Sequence, residues 1–362
     1  MIRISVTKRF QTSTRRAMAI NAISLAAGLA AVSLVFLAAG INPFYALFRI
    51  FSGSFGSIYG FQETLTKAIP LILIGAGLTF AFRAKFWNIG AEGQLLMGAV
   101  AGTWVGLTFG SSLPSMILIP MMFLAGFLGG GVLGIIPAYL KIRFAINEVI
   151  STLMLNYICA QFIIMLIVGP WKGTARFGYP GTDSFAAAAV LGVFPGTRIH
   201  YATLALALAS VFILYKIIFT TRFGYEARVV GENPDAGKYA GVNFMKTTLI
   251  LMLVSGGLAG LAGVGEVAGI HHYLGEPYDM SSGYGFTAII VAWLAKLNPF
   301  YTIFSAIFFA GIMVGGDAIK ISLGLPAATV DLVNGIFLIF LIIKEYFLNH
   351  TVNIRLTRKG EH

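Results

Sequence analysis

The feature that most constrains this chain is a series of apolar runs, each about as long as a membrane-spanning helix. A helix needs about 20 mostly apolar residues to cross the hydrocarbon core of a bilayer. The chain has 362 residues and contains ten candidate spans, of which the eighth and ninth are short and are expected to be broken or tilted. The candidates lie near residues 18–41, 64–82, 88–109, 116–140, 147–168, 200–219, 247–270, 283–297, 300–318 and 327–346.

Composition supports the same interpretation. Only 11% of the residues are charged and 57% are hydrophobic, whereas a soluble globular domain has about 25% charged residues. A water-soluble fold of this length has too much surface to hide so many apolar side chains. We therefore predict an all-α polytopic membrane protein that forms a single transmembrane domain over residues 1–362.

The basic residues predict the orientation of the chain. With the N-terminus in the cytoplasm and ten spans, 19 of the 25 Lys and Arg residues fall on the cytoplasmic side, as the positive-inside rule requires. This bias explains the net charge of +11 without a nucleic-acid partner. We expect a multi-pass protein of the plasma (inner) membrane in contact with lipid. Its cytoplasmic parts are then residues 1–17, 220–246 and 347–362.

Two segments on the opposite side are long. Residues 42–63 contain the sequence FYALFRIF, an amphipathic patch that we expect at the membrane interface. Residues 169–199 are rich in Gly and Pro, which favours an ordered loop rather than a further span.

Polar side chains inside the predicted spans need an explanation, because buried ionisable groups are costly in lipid and mark functional sites by default. The stretch WNIGAEGQLLMG at 87–98 contains Asn88, Glu92 and Gln94. The stretch AINEVISTLMLNYI at 145–158 places Glu148, Thr152 and Asn156 on one helix face at spacing i, i+4. These groups either cap helices and join them by hydrogen bonds, or line a path for a polar solute.

Motifs for enzymatic chemistry are missing from the sequence. There is no phosphate-binding G-x-x-x-x-G-K-[ST] loop, no H-E-x-x-H zinc motif and no nucleophile elbow. The single cysteine, Cys159, falls in an apolar run and is interpreted as a core residue. Glycine runs at 126–134 and 255–265 have the small-x-x-x-small spacing of closely packed membrane helices. We expect no enzymatic activity, no metal site and no cofactor bound directly by this chain.

One long polar segment, RFGYEARVVGENPDAGKYAGVNFMK at 222–246, lies between two apolar spans. Within it Asn233 suits a helix N-cap, Pro234 the first helical position and Asp235 the positive N-terminal end of the helix. Gly241 suits the left-handed position that ends a helix. About two turns of helix are too short to be stable alone in water. The segment is therefore either a short helix that docks into a partner or a solvated loop.

Three motifs in a fixed order carry a family resemblance: NIGAEGQLLMGA, NEVISTLMLNYI and RFGYEARVVGENPDAGKYAG. From about residue 60 to 345 the chain resembles the permease subunits of bacterial ABC importers of the branched-chain amino acid, ribose and nucleoside group. It is most similar to the nucleoside-type, simple-sugar-like permeases that work with Bmp-family binding lipoproteins.

The resemblance implies a subunit that lines the translocation path for a small-molecule solute, with ATP hydrolysed on a separate ATPase subunit. It also implies a heterodimer with a second, homologous permease, and delivery of the solute by a binding lipoprotein or periplasmic protein. The residues expected to contact the ATPase are Gly224, Arg228, Gly231, Glu232, Asn233, Pro234, Asp235, Ala236 and Gly241. The residues expected along the path are Asn88, Glu92, Gln94, Glu148, Thr152 and Asn156, joined by Tyr284 and Phe286 if the eighth span is broken at SSGYGF.

A second class of transporter fits the same residues. A proton-coupled secondary transporter would use an intramembrane carboxylate, Glu92 or Glu148, as its relay and would need no ATPase. Its uptake would collapse with the proton gradient while ATP remains.

Overall fold

A computed structural model of the chain describes residues 2–8, 13–174, 178–232, 234–325 and 350–356, together with scattered positions between 329 and 348. Most of the described chain is helical. The helices are α1 (Thr14–Ala38), α2 (Pro43–Phe55), α3 (Ile58–Arg83), α4 (Ala91–Phe109), α5 (Ser115–Phe144), α6 (Glu148–Val168), α7 (Tyr201–Thr220), α8 (Arg222–Glu232), α9 (Pro234–Tyr239), α10 (Phe244–Glu266), α11 (Pro277–Ser281), α12 (Tyr284–Leu294) and α13 (Pro299–Leu323).

Seven helices among the described residues are long and apolar enough to cross a membrane: α1, α3, α5, α6, α7, α13, and α10 with the turn that follows it. The chain is therefore a multi-pass membrane protein. Helix α4 has 19 residues but begins with polar ones, and α12 has only 11. The tenth predicted span, 327–346, lies largely outside the described residues.

The residues group into two compact units. The larger unit comprises residues 58–311. Its centre is formed by α3, α4 and α10, whose side chains are buried almost all round, and α5 packs against them. Pro70 in α3 and Pro120 and Pro137 in α5 lie within helices, which membrane helices tolerate because neighbouring helices satisfy the freed backbone groups.

Glycines let these central helices approach with their backbones in contact. A Cβ atom added at Gly98 of α4 would overlap the backbone of Gly260 in α10. A Cβ atom added at Gly260 or Gly256 would in turn overlap the backbone of Gly126 or Gly130 in α5. The prediction that these glycine runs pack helices is confirmed, and Cys159 is buried in α6 as expected.

The chain is broken after α10. Residues Val267–His271 form a π-helical turn, and His272 adopts a left-handed conformation. The short helix α11 follows, and then Ser282 and Gly283 are both left-handed, with φ of 45° and 69°. Because α12 begins only after this point, the chain is broken at SSGYGF, which is the condition under which Tyr284 and Phe286 were expected to join the path. The ninth predicted span is different: α13 is one continuous helix of 25 residues.

The loop between α6 and α7 contains no spanning helix among its described residues, only the single 3₁₀ turn Ala187–Ala189. It lies along the broken region through backbone hydrogen bonds, from Thr182 to Leu274, from Phe185 to His272 and from Leu191 to Ala268. The prediction of an ordered loop rather than a span is confirmed.

The smaller unit comprises residues 1–57 and 312–362. Asn42 caps α2 by accepting hydrogen bonds from the amides of Phe44 and Tyr45. One face of α2 packs against Val32 and Phe36 of α1 through Ala46 and Ile50. The opposite face exposes aromatic residues such as Phe48. The amphipathic character predicted for this segment is thus present.

A pair of strands in the smaller unit was not expected from the sequence. Strand β1 (Ile2–Lys8) pairs antiparallel with β2 (His350–Leu356), so that Ile2 lies opposite Leu356 and Lys8 opposite His350. The all-α prediction therefore holds for the apolar spans, and these two segments are an addition to it. Strand pairing brings the two ends of the chain side by side.

The polar segment 222–246 contains two helices, where one short helix was predicted. Helix α9 occupies the predicted place and ends as expected: Gly241 is left-handed with φ of 74°. The amide of Gly241 donates to the carbonyl of Lys238 and that of Val242 to the carbonyl of Gly237, which is the hydrogen-bond pattern of a Schellman motif. The sequence did not predict α8, which precedes α9.

Candidate functional site

Amide side chains hold the loop between α3 and α4 in place. Asn88 is fully buried and exchanges two hydrogen bonds with Gln94, of 2.9 and 3.0 Å. Its Nδ2 also donates to the Ser255 hydroxyl of α10 at 3.1 Å, and its Oδ1 accepts from the amide of Gly90. Asn88 and Gln94 therefore fasten the start of α4 to α10.

Asn156 performs a related task from α6. Its Oδ1 accepts from the amide of Gly93 at 2.8 Å, and its Nδ2 donates to the carbonyl of Ile89 at 3.0 Å. The first amides of a helix have no partner within the helix. A single side chain on α6 thus satisfies one free amide of α4 and a carbonyl of the preceding loop.

Thr152 and Glu148 occupy the same face of α6 one and two turns earlier, as the spacing predicted. The Thr152 hydroxyl donates to the carbonyls of Glu148 and Val149, and its side chain faces Gly90. Glu148 forms a salt bridge with Lys141 near the end of α5, and the Lys141 ammonium also lies 4.9 Å from the centre of the Phe86 ring. Asn147 caps α6, as expected for a residue at its start.

Glu92 connects the starts of two helices. It lies in the first turn of α4 and is 1% exposed. Its Oε2 accepts from the amide of Gly285 in the first turn of α12 at 2.7 Å, where the helix dipole favours a negative charge. The Ser281 hydroxyl and the Phe286 amide also lie close to the carboxylate, whereas Oε1 has no hydrogen-bond partner in the described part of the chain.

The structure therefore brings most of the predicted path residues into one neighbourhood, the starts of α4 and α12 with the facing side of α6. Tyr284 is 4% exposed, and the polar members are buried as well. Phe286 is the exception, because 41% of its surface is exposed. In this conformation the polar groups hydrogen-bond one another and the backbone, and Phe286 is the predicted path residue that faces outwards.

The segment predicted to contact an ATPase packs closely against its neighbours within the larger unit. A Cβ atom at Gly224 would overlap the carbonyl of Ile217, and one at Gly231 would overlap the carbonyl of Arg83. The ring of Phe223 contacts that of Phe80 at a centroid distance of 5.9 Å. Arg228 and Glu232 border a cavity beside the loop after α3. Asn233 and the side chains of Pro234, Asp235 and Ala236 lie outside the described residues.

Sequence reasoning missed one buried carboxylate. Glu266 at the end of α10 is 4% exposed, and Lys67 and Arg198 are near enough to attract it. Arg198 also pairs with Glu63 at 3.2 Å. The available signal was that Glu266 is the only ionisable residue within 247–270. No group of three His, Cys, Asp or Glu side chains among the described residues is arranged to hold a metal ion.

Residues 60–342 match the family described as branched-chain amino acid transport system, permease component. The chain belongs to this permease family. Members of the family are transport subunits rather than enzymes, so the permease is a multi-pass membrane transport subunit. The buried amides, the broken helix α11–α12 and the polar segment 222–246 all fall inside the matched range.

Relatives cover nearly the whole permease. It is 34% identical to a glucose ABC transporter permease protein of Haloferax volcanii, over 93% of this chain and 90% of the relative. It is 33% identical to a guanosine ABC transporter permease protein of Bacillus subtilis, over 93% and 96%. It is 29% identical to a nucleoside ABC transporter permease protein of Lactococcus lactis, over 91% and 92%.

The hydrogen bonds of Asn156 are expected to contribute to the thermal stability of the permease. Replacing Asn156 by Leu leaves the amide of Gly93 and the carbonyl of Ile89 buried without partners, and each such loss costs about 1–3 kcal/mol. We expect Asn156→Leu to lower the thermal unfolding temperature of the purified permease by several degrees. The control is Met154→Leu, an exposed position on the same helix, which should leave the unfolding temperature unchanged. Equal unfolding temperatures for both variants would contradict the assignment.

Proposed function

We propose that the permease is the membrane-spanning subunit of an ATP-driven ABC importer for nucleosides or related sugar-like solutes. The names of its relatives support this class of solute, since two transport guanosine or nucleosides and one transports glucose. A nucleoside combines a pentose with a flat base, so both kinds of relative handle ring compounds rich in hydroxyl groups. Membership of the permease family disfavours the proton-coupled alternative.

In the proposed topology the permease crosses the membrane ten times with both termini in the cytoplasm. The seven long apolar helices, the polar-ended α4, the broken α11–α12 and the region 327–346 supply ten crossings. The pairing of β1 with β2 supports an even number, because it brings both ends of the chain together. The positive-inside rule then assigns those ends, with α8 and α9, to the cytoplasm.

Single cysteines test this topology. In a Cys159→Ser background, Tyr239→Cys on α9 and Tyr179→Cys in the loop between α6 and α7 create targets at positions that are 95% and 78% exposed. A membrane-impermeant maleimide added to intact cells should label the cysteine at 179 and label that at 239 only after the membrane is opened. Labelling of position 239 in intact cells would disprove the orientation.

The solute path is proposed to run beside the start of α12. The observation that carries this proposal is the pairing of Glu92 with the amide of Gly285 at the start of a helix that is broken within the apolar region. In membrane transporters, such helix starts form solute sites near the middle of the bilayer. Phe286 presents an exposed ring next to this point, and a flat base can stack on such a ring. The buried amides and carboxylates predicted along the path are then positioned to reach solute hydroxyls as the helices move.

Replacing Phe286 tests both the path and the solute class. Stacking of a base on an aromatic ring contributes about 1–3 kcal/mol, so Phe286→Leu should lower guanosine uptake on the order of tenfold. Uptake of radiolabelled guanosine is measured in cells that express the complete transporter, with unlabelled guanosine and glucose as competitors. The control is Phe162→Leu, a partly exposed ring on α6. Uptake that neither guanosine nor glucose inhibits in the unaltered transporter would refute the solute class.

The partner proposed to supply energy is a separate ATPase subunit that docks on α8 and α9. Because Gly231 touches the backbone of Arg83 and Arg83 Nε donates to the carbonyl of Leu297 at 2.9 Å, displacement of α8 reaches the loops at the ends of both α3 and α12. The proposal assigns ATP binding and hydrolysis to this partner, with no cofactor bound directly by the permease. A second, homologous permease and a binding lipoprotein complete the proposed assembly, and genes for all three beside this one would support it.

Gly241 provides a test of coupling. A β-branched residue is strained at a φ of 74°, so Gly241→Val should shift the end of α9 and lower both solute-stimulated ATP hydrolysis and uptake. Gly241→Asn is the matched control, because asparagine tolerates the left-handed conformation. Both rates are measured on the assembled transporter in proteoliposomes after its subunits have been shown to be present. Normal ATP-dependent uptake by Gly241→Val would contradict a coupling role for α9.

A further inference from the structure

A cationic cavity lies between the ends of α3 and α12 and the helix α8. Its volume is about 440 Å³, and its charged lining consists of Arg83, Lys85, Arg228, Lys296 and Glu232. Four cations therefore face one carboxylate. A volume of this size is enough for a small ligand, since ligand sites typically enclose about 300–1,000 Å³.

Three of these cations have no counter-ion within the chain as far as the structure describes it. Lys85, Arg228 and Lys296 form no salt bridge with any described residue. Arg83 is committed to the carbonyl of Leu297 and lies 4.7 Å from the centre of the Phe219 ring, and it is near enough to Arg228 for mutual repulsion. Positive charges held together in this way favour an anion from outside the chain.

The backbone places the two lysines in matching and unusual positions. Lys85 and Lys296 are left-handed, with φ of 52° and 51°. Each follows its helix in a Schellman motif: Lys85 donates to Phe82 and Phe86 to Ala81, while Lys296 donates to Trp293 and Leu297 to Ala292. Glycine normally occupies this position because it has no side chain to clash. A strained lysine at both helix ends directs attention to function rather than to folding.

An aromatic wall completes the cavity. Trp87 and Trp293 are stacked, with ring centroids 5.4 Å apart and an interplanar angle of 19°, and Phe82 lies within 6.0 Å of both. The two tryptophans are 44% and 37% exposed. Tryptophan is enriched where a membrane protein meets the headgroup layer. In the proposed topology this cavity is at the cytoplasmic surface. Basic pockets between helices on that side of a membrane bind the headgroups of anionic lipids.

We propose that this cavity binds a phosphate-bearing anion, with Lys85, Lys296 and Arg228 around the phosphate and Trp87 and Trp293 beside the remainder of the ligand. Lysine and arginine are the residues that proteins use to hold phosphate oxygens. The phosphate belongs either to the headgroup of an anionic phospholipid or to a soluble phosphate compound in the cytoplasm. The proposal depends on the proposed topology only for the side of the membrane, and binding itself is measured without transport.

Tryptophan fluorescence tests the proposal directly. The permease is purified with Trp104 and Trp171 changed to Phe, so that Trp87 and Trp293 are the only reporters. It is placed in nanodiscs of phosphatidylcholine that contain increasing fractions of brominated phosphatidylglycerol or, separately, brominated phosphatidylcholine. Inorganic phosphate and ATP are titrated in a third and fourth series. Saturable quenching by the brominated anionic lipid alone identifies a lipid site, and a saturable response to phosphate or ATP identifies a soluble ligand.

Three double variants separate the effect of charge from that of folding. Lys85→Gln/Lys296→Gln should weaken binding at least tenfold, whereas Lys216→Gln/Lys246→Gln, which removes two exposed charges elsewhere, should leave it unchanged. Lys85→Gly/Lys296→Gly removes the same charges and relieves the left-handed strain, so it should lose binding while folding at least as well. Equal quenching by both lipids with no response to phosphate or ATP, or unchanged binding in both lysine-free variants, would overturn the proposal. The proposal would also be overturned if the purified Lys85→Gln/Lys296→Gln variant lost a partner ATPase and no response to any anion was seen. The cavity would then be a binding site for the partner protein.

Discussion

The structure depends on one requirement: polar backbone groups that leave regular helix inside an apolar region must find partners within the protein. Water is not available there, and each unsatisfied group costs several kcal/mol. The loop before α4 and the start of α12 are two places where the described part of the chain meets this problem. Asn88 and Asn156 satisfy the first, and Glu92 satisfies the second through the amide of Gly285. The broken helix exists because these side chains are present to stabilise it.

The same side chains join the loop to its surroundings, and this gives the fold a mechanical consequence. Gly231 brings α8 against the backbone that follows α3. A few residues later the chain reaches Asn88, which is tied to Ser255 on α10, and then Glu92, which is tied to α12. A displacement of α8 would therefore push on a loop that is held by hydrogen bonds to α10 and α12. Packed elements and hydrogen-bond networks can carry energetic coupling between distant sites, and the described contacts connect α8 to the starts of α4 and α12 in this way.

Sequence patterns predicted the parts of this arrangement that local physics decides. The apolar runs located the helices, the i, i+4 spacing put Glu148, Thr152 and Asn156 on one face, and the glycine at 241 marked a left-handed helix end. The sequence patterns did not predict which residues contact each face, because these partners are distant in sequence. Glu148 meets Lys141 and Asn156 meets Gly93, so the predicted stripe is divided between a salt bridge and helix capping.

Other features were missed for identifiable reasons. Helix α8 has several polar residues, and its one capping residue, Thr221, directly follows the apolar helix α7. The helix is held by contacts of Gly224 and Gly231 with other elements. Strands β1 and β2 are hundreds of residues apart, so neither segment alone indicates its pairing. Lys85 and Lys296 occupy helix ends where glycine is the expected residue, and a rule based on glycine does not find them. Contacts between distant segments decide all three.

Two of the buried carboxylates, Glu92 and Glu266, bear on how transport is energised. A proton relay needs titratable or hydrogen-bonding groups at short intervals across the membrane. Glu92 is two residues before Gln94, which is hydrogen-bonded to Asn88 and through it joined to Ser255 of α10, and Glu266 lies eleven residues further along that helix. At 1.5 Å per residue this is about 16 Å. Residues 256–265 between them contain only Gly, Ala, Leu and Val. Backbone and side-chain atoms of neighbouring helices occupy the space beside these glycines. Helix α10 therefore packs the central helices together where a relay along it would need polar side chains, which favours energy delivered from a partner at α8 and α9.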